Sequence, residues 1–515
     1  MRESQTMAGG LTTALTAGLK ALDPSTSSSA DGYSPLATSS DVGTPPASPA
    51  KAGGVALPVT PTEEELEDDK GFPAPLSSSI LSPRVRHVRR ALFVGLFFLI
   101  TVTLYFLLPT SLTPSSLSSL PTVSLSSSFP FISLISLPSC TSRAYSSGRW
   151  VPKNPSLRGN TSEVDVLTAS GFQGCTQDWF KPAWYLGSKE SDWHGMDEYR
   201  WRAAQWQWEA EDEVCQEEVK RTEAEELIAM LVERGGWMLL GDSLSEQHFF
   251  SLGCTLFPHV EVRWGEGWWE QLMFLRPDSP LATSLSFPPA FSISSTPLIT
   301  NLRTDHGFSK DELRTIYEST PQAALIPSSK LFTDYPVQSP PVEEYLDRFF
   351  SHPSTTGNWS SSERYQALLF STAAHFTPRE FAFPGGQPEI APFFEAVVAN
   401  WSSTVVRYLS DDGAGREVLV RSATSGHDKC KTQFAPFEDE WPAPKSYNWA
   451  RIPEMNDVFE AELEKAVHPR LNFLSLDRPA QLRPDAHAAD CLHVAVGTGI
   501  FEGFTDYLSY WLQRR

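Results

Sequence analysis

The chain has 515 residues, 41 of them basic and 62 acidic, for a formal net charge of −21. That length exceeds one ordinary domain, and the acidic balance disfavours a nucleic-acid partner, whose phosphates would be repelled. Aromatic residues are scarce before residue 90 and frequent after 141, so a large core belongs to the second part of the chain.

Residues 1–90 are rich in Ser, Thr, Pro, Ala and Gly. Such a stretch cannot bury enough apolar surface to offset chain entropy, and it reads as a disordered tail, with the acidic run Glu63 to Asp69 a solvated part of it. Ala91 to Leu108 (ALFVGLFFLITVTLYFLL) then runs eighteen residues without a charge, the short end of a membrane-spanning helix. Arg84, Arg86, Arg89 and Arg90 precede it, and no basic residue follows until Arg143. The positive-inside rule therefore puts the tail in the cytoplasm and the C-terminal bulk in a lumen, a single-pass type II arrangement. A cleaved signal peptide and a buried soluble helix are the competing readings; the first usually begins near the N-terminus. Residues 109–139, mostly Ser, Thr, Pro and Leu, read as a stem suited to O-glycosylation.

The six cysteines (Cys140, Cys175, Cys215, Cys254, Cys430 and Cys491) all follow the apolar segment. An even number confined to one side points to disulfides in an oxidising compartment, in any of 15 pairings. Zinc is the alternative, but the chain has no CxxC or HExxH spacing, and no metal is expected. N-x-S/T acceptors stand at Asn160, Asn358 and Asn400, on the same side.

Within 140–515, residues 216–234 (QEEVKRTEAEELIAMLVER) have helical composition and spacing, closed by Gly235-Gly236. Trp237 to Leu240 reads as a buried strand, Gly241-Asp242-Ser243 as a turn and Leu244 to Leu256 as a helix. That order predicts an α/β fold on a parallel sheet. Further strands are expected at Ala367 to Phe370, Val418 to Val420 and Phe473 to Leu476, and helices at Asn456 to Val467 and Ile500 to Leu512. Residues 265–345, rich in Pro and Ser, are expected to form an irregular insertion or minor lobe.

Ligands of an open α/β sheet bind outside the carboxyl ends of its strands, where Ser243 stands. Gly241 permits a sharp turn, and the following helix would aim amide groups at a developing oxyanion. A serine hydroxyl needs a base to take its proton, and the base an acid to orient it. Asp490-Cys491-Leu492-His493 can supply both, because residues three apart on a helical turn share a face. The alternatives are a helix N-cap for Ser243, a core histidine for His493, and His487 with Asp485 or Asp490 as a rival base. His248, His375 and His427 are read as structural, with His375 or His427 able to line a pocket. Arg421 is open between binding an acyl donor or glycan and a structural ion pair.

In these motifs the chain resembles the trichome birefringence-like (PC-esterase) polysaccharide O-acetyltransferases of the GDSL/SGNH-like superfamily. Gly148-Arg149-Trp150-Val151, Tyr199-Arg200-Trp201 with Trp206, Trp208 and Cys215, Gly241-Asp242-Ser243-Leu244, Arg421-Ser422 with His427 and Cys430, and the final Asp490-to-His493 block follow the family order across residues 140–515. The resemblance implies an SGNH-like parallel sheet sandwiched by helices. It implies Ser243 as nucleophile, His493 as base and Asp490 as its partner, with Gly241, the Ser243 amide and Asp242 near the oxyanion, and a Cys430–Cys491 disulfide anchoring the catalytic loop. The implied reaction moves acetyl through an acyl-serine to a hydroxyl of a lumenal polysaccharide or glycan, in the Golgi membrane. No bound cofactor is implied; the acetyl donor, acetyl-CoA or an acetylated intermediate, is a co-substrate. The chain departs from the plant-type pattern at Glu246-Gln247-His248 and at Phe370 to His375, which bear on the oxyanion hole and acceptor specificity. An acetylesterase of the same fold and a non-catalytic glycan-binding factor are the other readings.

Overall fold

The computed structural model describes residues 139–153, 169–176, 201–265, 270–336, 339–351, 364–488 and 490–515. The expected tail, spanning helix and nearly all of the stem lie outside the described residues, as do Asn160, Asn358 and the Tyr199-Arg200 pair. Among the described residues no helix is long and apolar enough to cross a membrane.

Strands β1 (Gly148–Pro152) and β2 (Trp206–Ala210) pair antiparallel as a separate ribbon. The main sheet comprises β3 (Gly236–Gly241), β4 (Val260–Trp264), β5 (Glu270–Leu275), β6 (Ile299–Arg303), β7 (Tyr365–Ser371), β8 (Glu417–Arg421) and β9 (Leu471–Leu474). Its order is β4-β5-β6-β3-β7-β8-β9. Strands β6, β3, β7, β8 and β9 are mutually parallel, and β5 is antiparallel to both its neighbours. The sheet is thus mixed, mostly parallel, and the protein is α/β.

Helices cover both faces: α1 (Ala224–Arg234), α2 (Ser243–Thr255), α3 (Lys310–Glu318), α4 (Val342–Phe349), α5 (Gln387–Asp411), α6 (Ile452–Ala466) and α7 (Ile500–Gln513). The alternation of β3 shows why. Trp237 and Leu239 face a core built with α1, α2 and α7, whereas Met238 and Leu240 face one built with α3, α4, α5 and α6. All four side chains are buried; each contributes about 1.5–3 kcal/mol, which pins β3 at the sheet centre. Three disulfides, Cys140–Cys215, Cys175–Cys254 and Cys430–Cys491, close the fold and are compatible with a secreted or lumenal protein.

Three expectations are corrected. Residues 265–345 are not a minor lobe: they supply β6, which lies directly beside β3, β5 on the far side of β6, and α3. The helix expected over 216–234 is two helices, Glu213–Glu218 and α1. Tertiary contacts break it: Thr222 N–H donates to Asp506 Oδ1 at 2.7 Å, and Arg221 donates to the Gly171 carbonyl. The strand expected at Phe473 to Leu476 runs instead from Leu471 to Leu474.

From β3 the chain turns through α2 toward β4, β5 and β6, whereas β7 leads to β8 on the other side. The carboxyl ends of β3 and β7 therefore diverge at a topological switch point, the usual place of a ligand crevice in open α/β sheets. Gly241 is in register there with Arg303 of β6 and Ser371 of β7.

Candidate catalytic site

Gly241 ends β3 with φ +153°; a Cβ there would lie 2.1 Å from the Ser371 carbonyl oxygen and 2.2 Å from Ser245 Oγ. Only glycine fits so close to the neighbouring strand. Asp242 is the N-cap of α2: its Oδ1 accepts from Leu244 N–H at 3.0 Å, and its carbonyl accepts from the amides of Ser245 and Glu246. Among the described residues this leaves the Ser243 amide as the donor at the head of α2, where helix polarity favours negative charge. The Asp242 carboxylate is engaged in this cap and only accepts hydrogen bonds, so any part of Asp242 near an oxyanion falls to its backbone amide.

Ser243, at the first position of α2, is 8 % exposed. Its Oγ lies 2.7 Å from His493 Nε2, and His493 Nδ1 lies 2.7 Å from Asp490 Oδ2. An ionised carboxylate accepts only, so Nδ1–H donates to Asp490 and Nε2 is free to accept from Ser243. Asp490 Oδ1 also accepts from the amides of Leu492 and His493, at 2.9 and 2.8 Å. Partial desolvation pushes the Asp490 pKa up, but His493 and these amides outweigh it and hold the carboxyl well below its ordinary range.

The loop bearing Asp490 and His493 is braced from several sides. Ala488 N–H donates to the His493 carbonyl and Ala495 N–H to that of Ala486. The Cys430–Cys491 bridge ties it to the segment after β8. Val494 N–H donates to Gln247 Oε1 at 3.0 Å. The sequence marked Gln247 only as part of a departure bearing on the oxyanion hole and acceptor specificity; its bracing role was missed, although it lies four residues after Ser243 and so on the same face of α2.

The other sequence candidates are not all at Ser243. His427 is buried behind the loop, with Nε2–H donating to the Gln481 carbonyl and Nδ1 2.7 Å from His487 Nε2. Burial lowers its pKa to about 4, and burial with the neighbouring His427 lowers that of His487 to about 3. Both ring nitrogens of His487 are engaged, by His427 and by the His493 carbonyl, and Asp485 pairs with Arg483. His248 is a core residue stacked on Phe501, with Nε2 3.1 Å from Thr505 Oγ1. Arg421, 4 % exposed, donates from Nη1 to the Ser422 carbonyl and lies over the Phe504 ring, while its Nη2 has no partner among the described residues. Burial lowers its pKa to about 10, which leaves it protonated at neutral pH. Asn400 is exposed on α5, its Nδ2 donating to the Ala396 carbonyl.

His375 belongs to a charged cluster on the β6–β7 side. Its Nδ1 lies 2.6 Å from Glu380 Oε1 and its Nε2 3.5 Å from Asp305, which Arg303 Nε meets at 3.0 Å. Burial alone would lower the His375 pKa; Asp305 and Glu380 outweigh it and hold it at about 9. Among the described residues no group of His, Cys, Asp and Glu is arranged to hold a metal ion.

No protein-family model and no curated protein matches this chain. What bears on its chemistry is therefore the arrangement of its own side chains: a serine at a helix head, an imidazole poised to take its proton, and a carboxylate fixing that imidazole.

Proposed function

We propose that the protein is a serine-dependent O-acetyltransferase that moves acetyl to hydroxyls of a polysaccharide or glycan. The observation that carries this reading is the unbroken Ser243–His493–Asp490 hydrogen-bond chain at the carboxyl end of β3. His493 takes the Ser243 proton as Oγ attacks the acetyl carbonyl of the donor. The tetrahedral oxyanion forms near the Ser243 amide, and its collapse expels the donor's leaving group with the proton from His493. The acyl-serine is then attacked by an acceptor hydroxyl, whose proton passes to His493, and Ser243 leaves with that proton. Asp490 holds the productive tautomer and offsets the charge of the imidazolium. The motif resemblance supplies acetyl as the group and a glycan as the acceptor. Read with the uncharged run after the arginines, it also supplies a type II placement in the Golgi membrane.

Intact mass spectrometry of the purified full-length chain, after mixing with an activated acetyl ester, tests this. Acetyl is expected on Ser243 and on nothing in Ser243→Ala. Transfer of the trapped acetyl to added oligosaccharides marks a transferase, and its loss to water at an unchanged rate marks an esterase. A folded protein that never acetylates would sink both.

A further inference from the structure

Among the described residues the exposed large hydrophobic side chains include two aromatics, Phe434 and Tyr447, and both lie in the segment that follows Cys430. Tyr447 is 49 % exposed and has φ +51°, a backbone conformation that costs a non-glycine residue free energy and persists only where the surroundings impose it. The surroundings do so here. Asn448, fully buried, donates from Nδ2 to the carbonyls of Ala373 and Phe376, at 3.0 and 3.2 Å, in the loop that leaves β7. The Trp449 carbonyl accepts from Ser425 Oγ, and its indole lies so close to Gly426 that a Cβ there would meet the ring at 2.5 Å and the Cys491 carbonyl at 2.8 Å. The amides of Lys445 and Ser446 donate to Asp428. Residues 445–449 are thus tied on one side to the loop after β7 and on the other to residues 425–428, whose His427 amide donates to the carbonyl of Cys491, between the acid and the base.

We propose that Tyr447, backed by Trp449, is a stacking platform for a pyranose ring of the acceptor, between the loop after β7 and the segment bonded to the catalytic loop; this rests on the acetyl-transfer reading. The two rings are 5.1 Å apart and tilted by 35°, so a buried indole supports the exposed phenol ring from behind. A phenol ring offers an apolar face and one polar tip. A pyranose matches it, with C–H bonds on its face and hydroxyls at its edge. Holding that ring in a strained backbone, between the β7 loop and the catalytic loop, fixes one sugar unit while the next presents its hydroxyl to the acyl-serine. The substrate class is accordingly a chain of at least two pyranose units, not a free monosaccharide.

The test compares Tyr447→Ala, Tyr447→Phe and Tyr447→Gly in the full-length chain, with hexasaccharides of β-1,4-linked glucose, xylose or mannose as probes. Glycine relieves the backbone strain and removes the ring, which separates the two effects. Acetyl loading of Ser243 from the activated ester is expected to stay within about twofold in all three, whereas the KM for the accepted hexasaccharide rises roughly tenfold in Tyr447→Ala and Tyr447→Gly, with little change in kcat, and recovers in Tyr447→Phe. An unchanged KM in the alanine and glycine variants, or an equal loss of loading and transfer, would overturn the proposal. If the wild-type chain never loads acetyl, the acetyl-transfer reading fails on its own. Saturation-transfer NMR of the same hexasaccharides against Ser243→Ala and Ser243→Ala/Tyr447→Ala then decides the platform: a sugar signal that disappears when the ring is removed supports it, and a signal indifferent to the ring refutes it.

Discussion

Replacing Asp490 by Asn changes one atom of the relay and leaves its shape intact. The carboxylate accepts three hydrogen bonds, from the Leu492 amide, the His493 amide and His493 Nδ1. Asparagine has one acceptor oxygen; if that oxygen keeps the two amides, its NH2 group faces Nδ1. His493 must then carry its proton on Nε2, the atom that has to accept from Ser243. Two losses combine. A hydrogen bond to a charged group is worth about 1.5–3 kcal/mol. The attraction between the carboxylate and the imidazolium adds about 1–4 kcal/mol, toward the low end because the Asp490 side chain is 52 % exposed. Together they slow acetylation of Ser243 by about 10²–10⁴-fold, with the lower half expected for a solvated carboxylate. The assay is quenched-flow intact mass of acetyl-Ser243 against time, beside urea unfolding, which should shift by less than about 1 kcal/mol because the backbone contacts persist. An acetylation rate within fivefold of wild type at neutral pH would refute the role given to Asp490.

Other outcomes follow from the same geometry. His375 has its pKa raised from the usual 6.5 to about 9, so its contribution is fully present below 6.5 and is lost as pH rises through 9. That contribution is worth up to about 3 kcal/mol, and the decline in urea-unfolding free energy over this window should shrink by most of that amount in His375→Gln; parallel curves would count against the cluster. Gly241→Ala, with its Cβ against the Ser371 carbonyl, should cost about 3 kcal/mol or more and reduce the yield of folded protein, whereas a wild-type unfolding midpoint would contradict the tight approach of β3 and β7. Removing the Cys430–Cys491 bridge, whose cysteines are 61 residues apart, should lower stability by up to about 4 kcal/mol and slow Ser243 acetylation. Removing Cys175–Cys254, at the far end of α2, should lower stability and spare the acetylation rate of the folded fraction.

The β3–α2 unit was legible because a short apolar run bounded by glycines leads straight into a capped helix, and β7 and β8 because their cores are uninterrupted apolar runs. The strands β5 and β6 were not. Their buried faces carry polar groups that satisfy one another: Asn301 Nδ2 donates to Gln271 Oε1, Gln271 Nε2 donates to Glu246 Oε1, and Thr300 Oγ1 bonds with the Tyr365 hydroxyl. A strand that buries hydrogen-bonded amides loses the apolar signature by which strands are read. The serine, histidine and aspartate could be paired from their motifs, and the fold brings the three into one hydrogen-bond chain. The left-handed backbone at Tyr447 follows from pinned neighbours more than 70 residues apart in sequence and has no local signal.

The Cys430–Cys491 bridge has a consequence for where the chemistry can occur. It grips the residue between the carboxylate and the imidazole, so one of the several braces that hold the base beside the nucleophile exists only once two thiols have been oxidised. On the acetyl-transfer reading, a chain kept reduced retains its Ser243, His493 and Asp490 but lacks that brace, and its acetylation rate falls toward that of the bridge-free variant. Under that reading the bond couples the vigour of the chemistry to the redox state of its surroundings.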